Sequence, residues 1–308
     1  MRRSTRTALV VTAALTVLAT GGTTAATAGT TAATAGTVRP QGGPLVVPAA
    51  DRGTPDASRR PTVLARDTAG VLWQYEGSGR ADRPLGARER VGGGWNVYTA
   101  ITSLTSRTAA GEGDLVARDK AGVLWYYRGS GDPDAPFEPR VRIGGGWNRY
   151  TALAANNGGL VARDEDGRLW LYRTSGSNDP ARMLGTRELL GGGWNTYTLI
   201  ASRGGGYELV ARDASGVLWA YGPRYSPAQN PGAYGPRTRV GGGWNVYDSV
   251  VAAGDLDCGE VFDDFLARDR DGRLWLYAGR PNAGGSATVP GPARRQIGHG
   301  WGVYDVIL

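Results

Sequence analysis

Apolar and polar positions alternate along this chain in short runs, and the same two phrases of residues return five times. The first phrase reads L-x-A-R-D-x-x-G-x-L-W-x-Y, and the second reads G-G-G-W-N-x-Y with small variations. The aspartates of the first phrase are separated by 52, 45, 49 and 56 residues. A period of about 50 residues is typical of repeat architectures, so the chain is expected to fold as a series of similar units. These aspartates are Asp67, Asp119, Asp164, Asp213 and Asp269.

Each copy of the repeat predicts four short strands. Residues 63–66 form the first of these, and residues 67–70 favour a tight turn because Asp opens it and Gly closes it. Residues 71–75 alternate as a return strand. A third strand such as 140–143 precedes the glycines, and a fourth such as 150–154 follows them. Four strands in about 50 residues correspond to one blade of a β-propeller.

The repeat therefore predicts an all-β fold, a five-bladed β-propeller of four-stranded blades over residues 61–308. Both faces of each blade carry large apolar side chains, so each blade needs a neighbour on both sides. The first copy opens near Val63 without a preceding G-G-G-W phrase, while the last copy ends with one extra strand at residues 304–308. We expect this C-terminal strand to complete the first blade and close the ring.

The N-terminal region has the composition of an export signal. Arg2, Arg3 and Arg6 precede a short apolar run at residues 8–19, and an Ala-x-Ala site ends at Ala28. This pattern predicts a secretory signal peptide over residues 1–28, too short to anchor the chain in a membrane. Residues 29–60 are dominated by Ala, Thr, Gly and Pro, and we expect a disordered low-complexity linker. The predicted location is therefore outside the cell.

The charge balance excludes one class of partner. The formal net charge is +7, but residues 61–308 carry 28 basic and 26 acidic side chains. A domain so nearly balanced lacks the basic surface of a nucleic-acid-binding protein, and we expect neither nucleic acid nor membrane insertion. Cys258 is the only cysteine, so no intramolecular disulfide can form. We expect a monomer.

The second phrase, together with the G-x-L-W of the first, resembles the repeat of tachylectin-type lectins across residues 61–308. That resemblance implies a five-bladed propeller that binds N-acetylated hexosamines in five equivalent sites near the junctions of adjacent blades. The copies are also similar to exported bacterial repeat modules of the FG-GAP or VCBS type, which implies a module that often accompanies other domains.

The Trp and Asn of the second phrase are the candidate ligand contacts. Three glycines before the Trp permit close approach of a ligand, an indole ring stacks on the apolar face of a sugar, and an Asn amide both donates and accepts. Packing of the Trp and turn formation by the Asn remain alternatives. The tryptophans of the first phrase are expected to pack between blades. The candidate carbohydrate-binding residues are Trp95, Asn96, Trp147, Asn148, Trp194, Asn195, Trp244 and Asn245.

Residues for catalysis or metal binding are sparse. The polar residues repeat five times and His299 is the only histidine, so an acid and base with unequal roles are not apparent. The loop containing Asp255, Asp257 and Asp263 has oxygen ligands at calcium-loop positions one, three and nine, but Gly259 occupies position five. We therefore predict no enzyme, no metal and no cofactor.

The predicted function is a secreted, multivalent carbohydrate-binding protein whose partner is an extracellular glycan or a cell-wall or surface component. One alternative is a non-catalytic propeller of the FG-GAP or VCBS kind that binds a protein or a cell surface. A glycan-cleaving enzyme is the third reading.

Overall fold

The structure, a computed structural model, describes residues 60–105, 107–156, 159–202, 208–223, 234–259, 262–285 and 287–308. The predicted signal peptide and residues 29–59 of the predicted linker lie outside the described residues. The described chain is built almost entirely of short antiparallel strands, in five sheets of four strands each and one small hairpin. The all-β prediction is confirmed.

The five sheets are the five predicted blades. Blade 1 contains β1 (Thr62–Asp67), β2 (Leu72–Gly77), β3 (Leu85–Gly92) and the last strand β22 (Tyr304–Ile307). Blade 2 contains β4 (Tyr98–Ser103), β5 (Leu115–Asp119), β6 (Leu124–Tyr127) and β7 (Val141–Gly144). Blade 3 contains β8 (Tyr150–Asn156), β9 (Gly159–Asp164), β10 (Leu169–Thr174) and β11 (Leu184–Gly191). Blade 4 contains β12 (Tyr197–Ser202), β13 (Leu209–Asp213), β14 (Leu218–Tyr221) and β15 (Thr238–Gly241). Blade 5 contains β16 (Tyr247–Gly254), β17 (Asp264–Asp269), β18 (Leu274–Tyr277) and β21 (Arg295–Gly298), and carries the extra hairpin of β19 (Gly279–Pro281) and β20 (Thr288–Pro290).

The ring closes as the sequence predicts. β22 pairs antiparallel with β1, with Ile307 opposite Ala65. The backbone N–H of Leu64 donates to the carbonyl of Leu308 at 2.8 Å, and the reverse bond is 2.9 Å long. The last strand of the chain is therefore the inner strand of the first blade, and it removes the open edge that blade 1 would otherwise present.

Two glycine-dependent turns shape every blade. Gly70 adopts φ +81° at the end of the turn between β1 and β2, where the Asp67 carboxylate accepts a hydrogen bond from the backbone N–H of Val71 at 2.8 Å. Gly94 adopts φ +83° and starts a single 3-10 turn at Trp95–Val97, which the sequence did not predict. This second turn swings the chain from the outer strand of one blade to the inner strand of the next, and it folds the tryptophan back between the two blades.

The hydrophobic core lies between the blades, not within one layer. Five apolar clusters are found among the described residues, and each joins two neighbouring blades. At the first junction Leu64 and Leu72 of blade 1 meet Trp95, Tyr98 and Leu115, which lie on the blade 2 side and are nearly inaccessible. Burial of such side chains stabilises the fold by about 1.5–3 kcal/mol each, so each blade depends on both neighbours.

The inner strands β4, β8, β12, β16 and β22 surround a central channel of about 480 Å³. Its middle is lined by small and aliphatic side chains such as Ala154 and Val250. In the part of the chain that the structure describes, no helix has the length and apolar character that a membrane span requires.

Candidate functional site

The tryptophans of the second phrase, here called the junction tryptophans, are buried where two blades meet. Trp147 exposes 6% of its surface. Its ring lies 4.7 Å from the ring of Tyr172 in blade 3 and 5.4 Å from that of Tyr150. Stacking of this kind is worth about 0.5–1.5 kcal/mol beyond simple burial. The junction tryptophans are Trp95, Trp147, Trp194, Trp244 and Trp301.

A tyrosine pair and an arginine complete each junction. The hydroxyls of Tyr150 and Tyr172 share a hydrogen bond, and burial together with this bond raises the pKa of Tyr172 above its ordinary value. Arg187 donates from Nη1 to the Tyr150 hydroxyl at 2.9 Å, and its guanidinium lies 4.1 Å above the ring of Trp170. The arginine therefore ties the outer strand of blade 3 to its inner strand.

The tryptophans of the first phrase, here called the strand tryptophans, are half-buried and use their indole N–H within their own blade. Nε1 of Trp170 donates to the Asp164 carboxylate at 2.8 Å, which fixes the turn between β9 and β10. Trp219 makes the same contact with Asp213, and this bond together with one from Ser215 lowers the pKa of Asp213 to about 2. The strand tryptophans are Trp73, Trp125, Trp170, Trp219 and Trp275.

The arginine of the first phrase has a structural position. Arg66 donates from Nη1 to the carbonyl oxygens of Trp95 at 2.9 Å and of Tyr98 at 2.7 Å. It also forms an ion pair with Asp305 at 2.7 Å. Because the two carbonyls flank the 3-10 turn, this arginine holds the junction tryptophan of the next blade in place.

A cleft of about 350 Å³ opens beside Trp147, between blades 2 and 3. We call it the Trp147 cleft. Its lining includes the glycines at 144–146, the rings of Trp147 and Tyr172, and the pair Leu184 and Gly185 from the neighbouring blade, which we call the far wall. Among the described residues none accepts a hydrogen bond from the Trp147 indole N–H, which leaves a donor for a ligand.

A second cleft of about 290 Å³ lies beside Trp244, between blades 4 and 5. We call it the Trp244 cleft. Residues 241–243 line it as residues 144–146 line the Trp147 cleft, and Tyr277 takes the place of Tyr172. Its far wall is the backbone of residues 290–292 at the end of the extra hairpin, which also brings Arg280 to the rim.

The far wall differs at two other junctions, where an aromatic ring faces the tryptophan. Phe137 lies 6.0 Å from Trp95 and 5.8 Å from Tyr127, measured between ring centroids. Tyr234 lies 6.0 Å from Trp194, and its hydroxyl accepts a hydrogen bond from Asn156 Nδ2 at 2.8 Å. These rings occupy the position that Leu184 holds in the Trp147 cleft.

The predicted site residues take two different positions. The edges of Trp147 and Trp244 line the two clefts, whereas the asparagines that follow them lie on the adjoining surface outside the lining. Asn195 Nδ2 donates to the carbonyl of Glu165 at 2.9 Å, which joins the second phrase to the Asp-x-x-Gly turn of the neighbouring blade. Contact of these tryptophans and asparagines with a sugar stays a prediction.

The sequence patterns did not predict the tyrosine pairs or the residues of the far wall. The far wall could have been found by aligning the five copies on the glycines of the second phrase, because one position before these glycines differs in residue type between the copies. These residues are Leu85, Phe137, Leu184, Tyr234 and Gly291.

Three carboxylates come together in the loop that the sequence considered for calcium, with Asp264 in place of Asp263. The side-chain oxygens of Asp255, Asp257 and Asp264 lie within 4.8 Å of one another. Burial and the neighbouring carboxylates raise the pKa of Asp264 to about 7. Asp257 already pairs with Arg295 at 3.0 Å, and Asp264 accepts the Leu256 N–H at 3.0 Å, so both have protein partners.

Comparison with known proteins gives a family and a set of remote structural neighbours. The family model described as Tachylectin matches residues 85–249 and again residues 142–306. No curated protein sequence matches this chain.

Among solved structures, Prp20p from Saccharomyces cerevisiae shares 14% identity at a TM-score of 0.38, with 77% of this chain and 64% of that chain covered. Human WBSCR16 shares 11% identity at a TM-score of 0.34, with 71% and 60% covered. The Cps50 (Swd1) β-propeller domain of Myceliophteria thermophila shares 12% identity at a TM-score of 0.35, with 75% and 69% covered. This chain spans less than two thirds of the length of Prp20p and of WBSCR16.

Proposed function

Because this chain belongs to the Tachylectin family, we propose that it is a multivalent carbohydrate-binding protein without catalytic activity. The clefts between its blades are the proposed sugar sites, and an N-acetylated hexosamine is the proposed ligand unit. The partner is then a glycan outside the cell or on a cell surface, reached after export through the predicted signal peptide.

The observation that carries this proposal is the donor and ring arrangement of the Trp147 cleft. A sugar unit offers hydroxyls along its edge and C–H groups on its faces. The free indole N–H of Trp147 and the backbone of residues 144–146 can meet the hydroxyls, while the Tyr172 ring edge meets the apolar face. No described residue that lines either cleft is a carboxylic acid, so neither lining supplies the acid and base that glycan cleavage needs.

Shallow clefts of this kind bind weakly. A dissociation constant near 1 mM, about −4 kcal/mol, is a reasonable value for one sugar unit in one cleft. Useful affinity then requires several clefts of one ring to engage the same glycan surface, which raises avidity without new contacts.

A glycan array probed with the full chain tests the proposal. The double variant Trp147→Phe with Trp244→Phe keeps the stacked rings but removes both indole donors, and we expect it to lose most of the array signal. The control is Trp95→Phe with Trp194→Phe, where an aromatic ring already faces the tryptophan; it should keep the signal. An array without any bound glycan would refute the carbohydrate-binding function.

A second function is favoured by a different surface. Val97, Val246 and Val303, which follow the asparagine position at three consecutive junctions, are 43%, 50% and 50% exposed. Exposed apolar side chains at neighbouring junctions suit a protein partner. Because Val246 also lines the Trp244 cleft, the test uses the other two. Exchange of Val97 and Val303 for Ser should abolish capture of a protein partner and leave the array signal unchanged if this surface has that role.

A further inference from the structure

Each of the two clefts is lined by an exposed arginine. Arg149, which ends the 3-10 turn that Trp147 begins, lines the Trp147 cleft and is exposed. Arg280, on the extra hairpin of blade 5, is likewise exposed at the Trp244 cleft. Within the described ranges neither guanidinium has a hydrogen bond or an ion pair.

A second arginine accompanies each of these two clefts. The guanidinium of Arg142 lies beside the glycine turn that borders the Trp147 cleft, 3.4 Å from where a Cβ of Gly145 would be. Arg239 takes the same position beside Gly242, at 3.3 Å, and so does Arg90 beside Gly93 at the Trp95 junction, so the cleft-specific charge is that of Arg149 and Arg280. Since the described lining of both clefts contains arginine and no acidic side chain, the positive charge there is not neutralised by the cleft itself.

The junction at Trp194 provides the internal comparison. Its far wall is closed by Tyr234, and the position equivalent to Arg149 is Thr196. The position equivalent to Arg142 is Leu189. The same frame of tryptophan, tyrosines and glycines is therefore present there without the open wall and without the charge.

We propose that the Trp147 and Trp244 clefts select a sugar unit carrying an oxyanion. This inference rests on the proposed carbohydrate-binding function and specifies its ligand. The sugar ring lies against the tryptophan edge and the glycine backbone, and Arg149 or Arg280 binds the anionic substituent. Phe137 and Tyr234 close the junctions at Trp95 and Trp194 to the same ligand.

The chemistry of the substituent follows from the guanidinium. Its planar N–H groups match the two oxygens of a carboxylate, and they match a phosphate equally well. The attraction at an exposed site depends on ionic strength, because the Debye length shortens from about 10 Å at 0.1 M salt to about 3 Å at 1 M. An acidic ligand should therefore lose affinity with added salt, whereas a neutral sugar should not.

The test follows the indole N–H signals of the ten tryptophans by ¹⁵N NMR of the full chain, with each signal assigned from single Trp→Phe variants. Three ligands are titrated: N-acetylglucosamine, N-acetylmuramic acid and N-acetylglucosamine 6-phosphate. All three share one ring; the second adds a carboxylate-bearing ether at O3, and the third adds a phosphate at O6. We expect the acidic ligands to shift the Trp147 and Trp244 signals, with about tenfold higher affinity than the neutral sugar.

A matched pair of variants separates charge from fold. Arg149→Gln with Arg280→Gln should abolish the preference for the acidic ligands and leave weak binding of N-acetylglucosamine. The control, Arg80→Gln with Arg168→Gln, removes two exposed arginines that line neither cleft and should keep the preference. The carboxylate and phosphate titrations show which oxyanion is favoured.

Equal affinity for neutral and acidic ligands would overturn the inference, as would shifts of all five junction tryptophans. Either result would leave the proposed lectin function standing. Failure of all three sugars to shift any indole signal, combined with a silent glycan array, would instead remove the carbohydrate-binding function itself.

Discussion

The junction tryptophans and the strand tryptophans occur equally often, but they differ in burial and in the use of the indole N–H. Trp194 is buried between blades 3 and 4, with its ring packed on Tyr221 at 4.7 Å. Trp219 packs against the same cluster, as predicted for the strand tryptophans, but it is less buried, its N–H is bound to Asp213, and the guanidinium of Arg237 lies 4.0 Å above its ring. Both sets therefore contact the core between blades, and the strand tryptophans also brace the turn of their own blade.

The comparison shows what a glycine run before a tryptophan means in this fold. Three glycines suggest an exposed ring that a ligand can approach. In the structure, the left-handed Gly193 starts a 3-10 turn that folds Trp194 under the glycines and into the core. Only the edge and the N–H of such a ring can face a cleft, so the residue links fold stability to the proposed binding site.

The largest difference should appear when a ring is removed from each set. Trp194→Ala deletes a ring packed between two blades, and we expect a loss of about 3–5 kcal/mol in the free energy of unfolding. Trp219→Ala should cost less, about 2 kcal/mol, because part of that ring is already exposed to water. Urea unfolding followed by circular dichroism measures both values.

Equal losses would mean that the strand tryptophans contribute as much to the core as the junction tryptophans do. That result would break the distinction between the two sets. Trp301→Ala provides a further comparison, since Trp301 is buried at the junction where the ring closes.

The next effect concerns the carboxylate that anchors each strand tryptophan. Asp164 accepts hydrogen bonds from the Trp170 indole at 2.8 Å and from the backbone N–H of Arg168 at 2.8 Å. Asp164→Ala leaves both donors without this partner, and we expect a loss of about 1–2 kcal/mol in unfolding free energy. Asp164→Asn, which keeps one acceptor oxygen, should lose less.

If the alanine and asparagine variants have the same stability as the parent, the carboxylate does not brace the turn. Asp166→Ala, at an exposed position two residues later in the same turn, serves as the control and should have little effect.

The aspartates that bind the strand tryptophans also predict that the stability of the fold depends on pH. The hydrogen bonds from Trp219 and Ser215 lower the pKa of Asp213 to about 2, below the ordinary value of 3.8. The stabilisation by these bonds is therefore fully present above pH 4 and is lost as the pH falls through about 2. Unfolding midpoints measured between pH 5 and pH 2 should fall, and Asp213→Asn should make that fall shallower.

A fall of the same size in the Asp213→Asn variant would contradict this assignment. Trp194 offers an internal check, because Tyr221, on which it packs, does not titrate in this range: burial raises the pKa of Tyr221 above its ordinary value of 10.

The repeat made most of this fold predictable. Strand number, blade number and closure by the last strand follow from the two phrases and from the extra strand after Trp301. The turn role of Asp67 could also be predicted, because local spacing determines it.

The candidate site was less predictable because its walls come from different blades. Whether Leu184, Tyr234 or Gly291 faces a junction tryptophan depends on loops that are far from that tryptophan in sequence. The direction of each indole depends on the 3-10 turn, and a strand period of two does not encode that turn. The sequence therefore predicted the junctions but not which of them are open.

The smallest effect concerns the asparagines, and it tests where the ligand sits relative to the two tryptophan sets. Asn245 Nδ2 donates to the backbone carbonyl of Ala214 at 3.1 Å, on the surface next to the Trp244 cleft. Asn245→Ala should lower the free energy of unfolding by only about 0.5–1 kcal/mol, because one exposed hydrogen bond to the neighbouring turn is lost. Its effect on sugar binding, measured by the same NMR titration, should be smaller than that of Arg280→Gln. Gly302 already replaces the asparagine in the fifth copy, where the turn nevertheless forms. If the double variant Asn245→Ala with Asn148→Ala lost all binding while it remained folded, the ligand site would be the asparagine surface. The clefts at the junction tryptophans would then not be the ligand site.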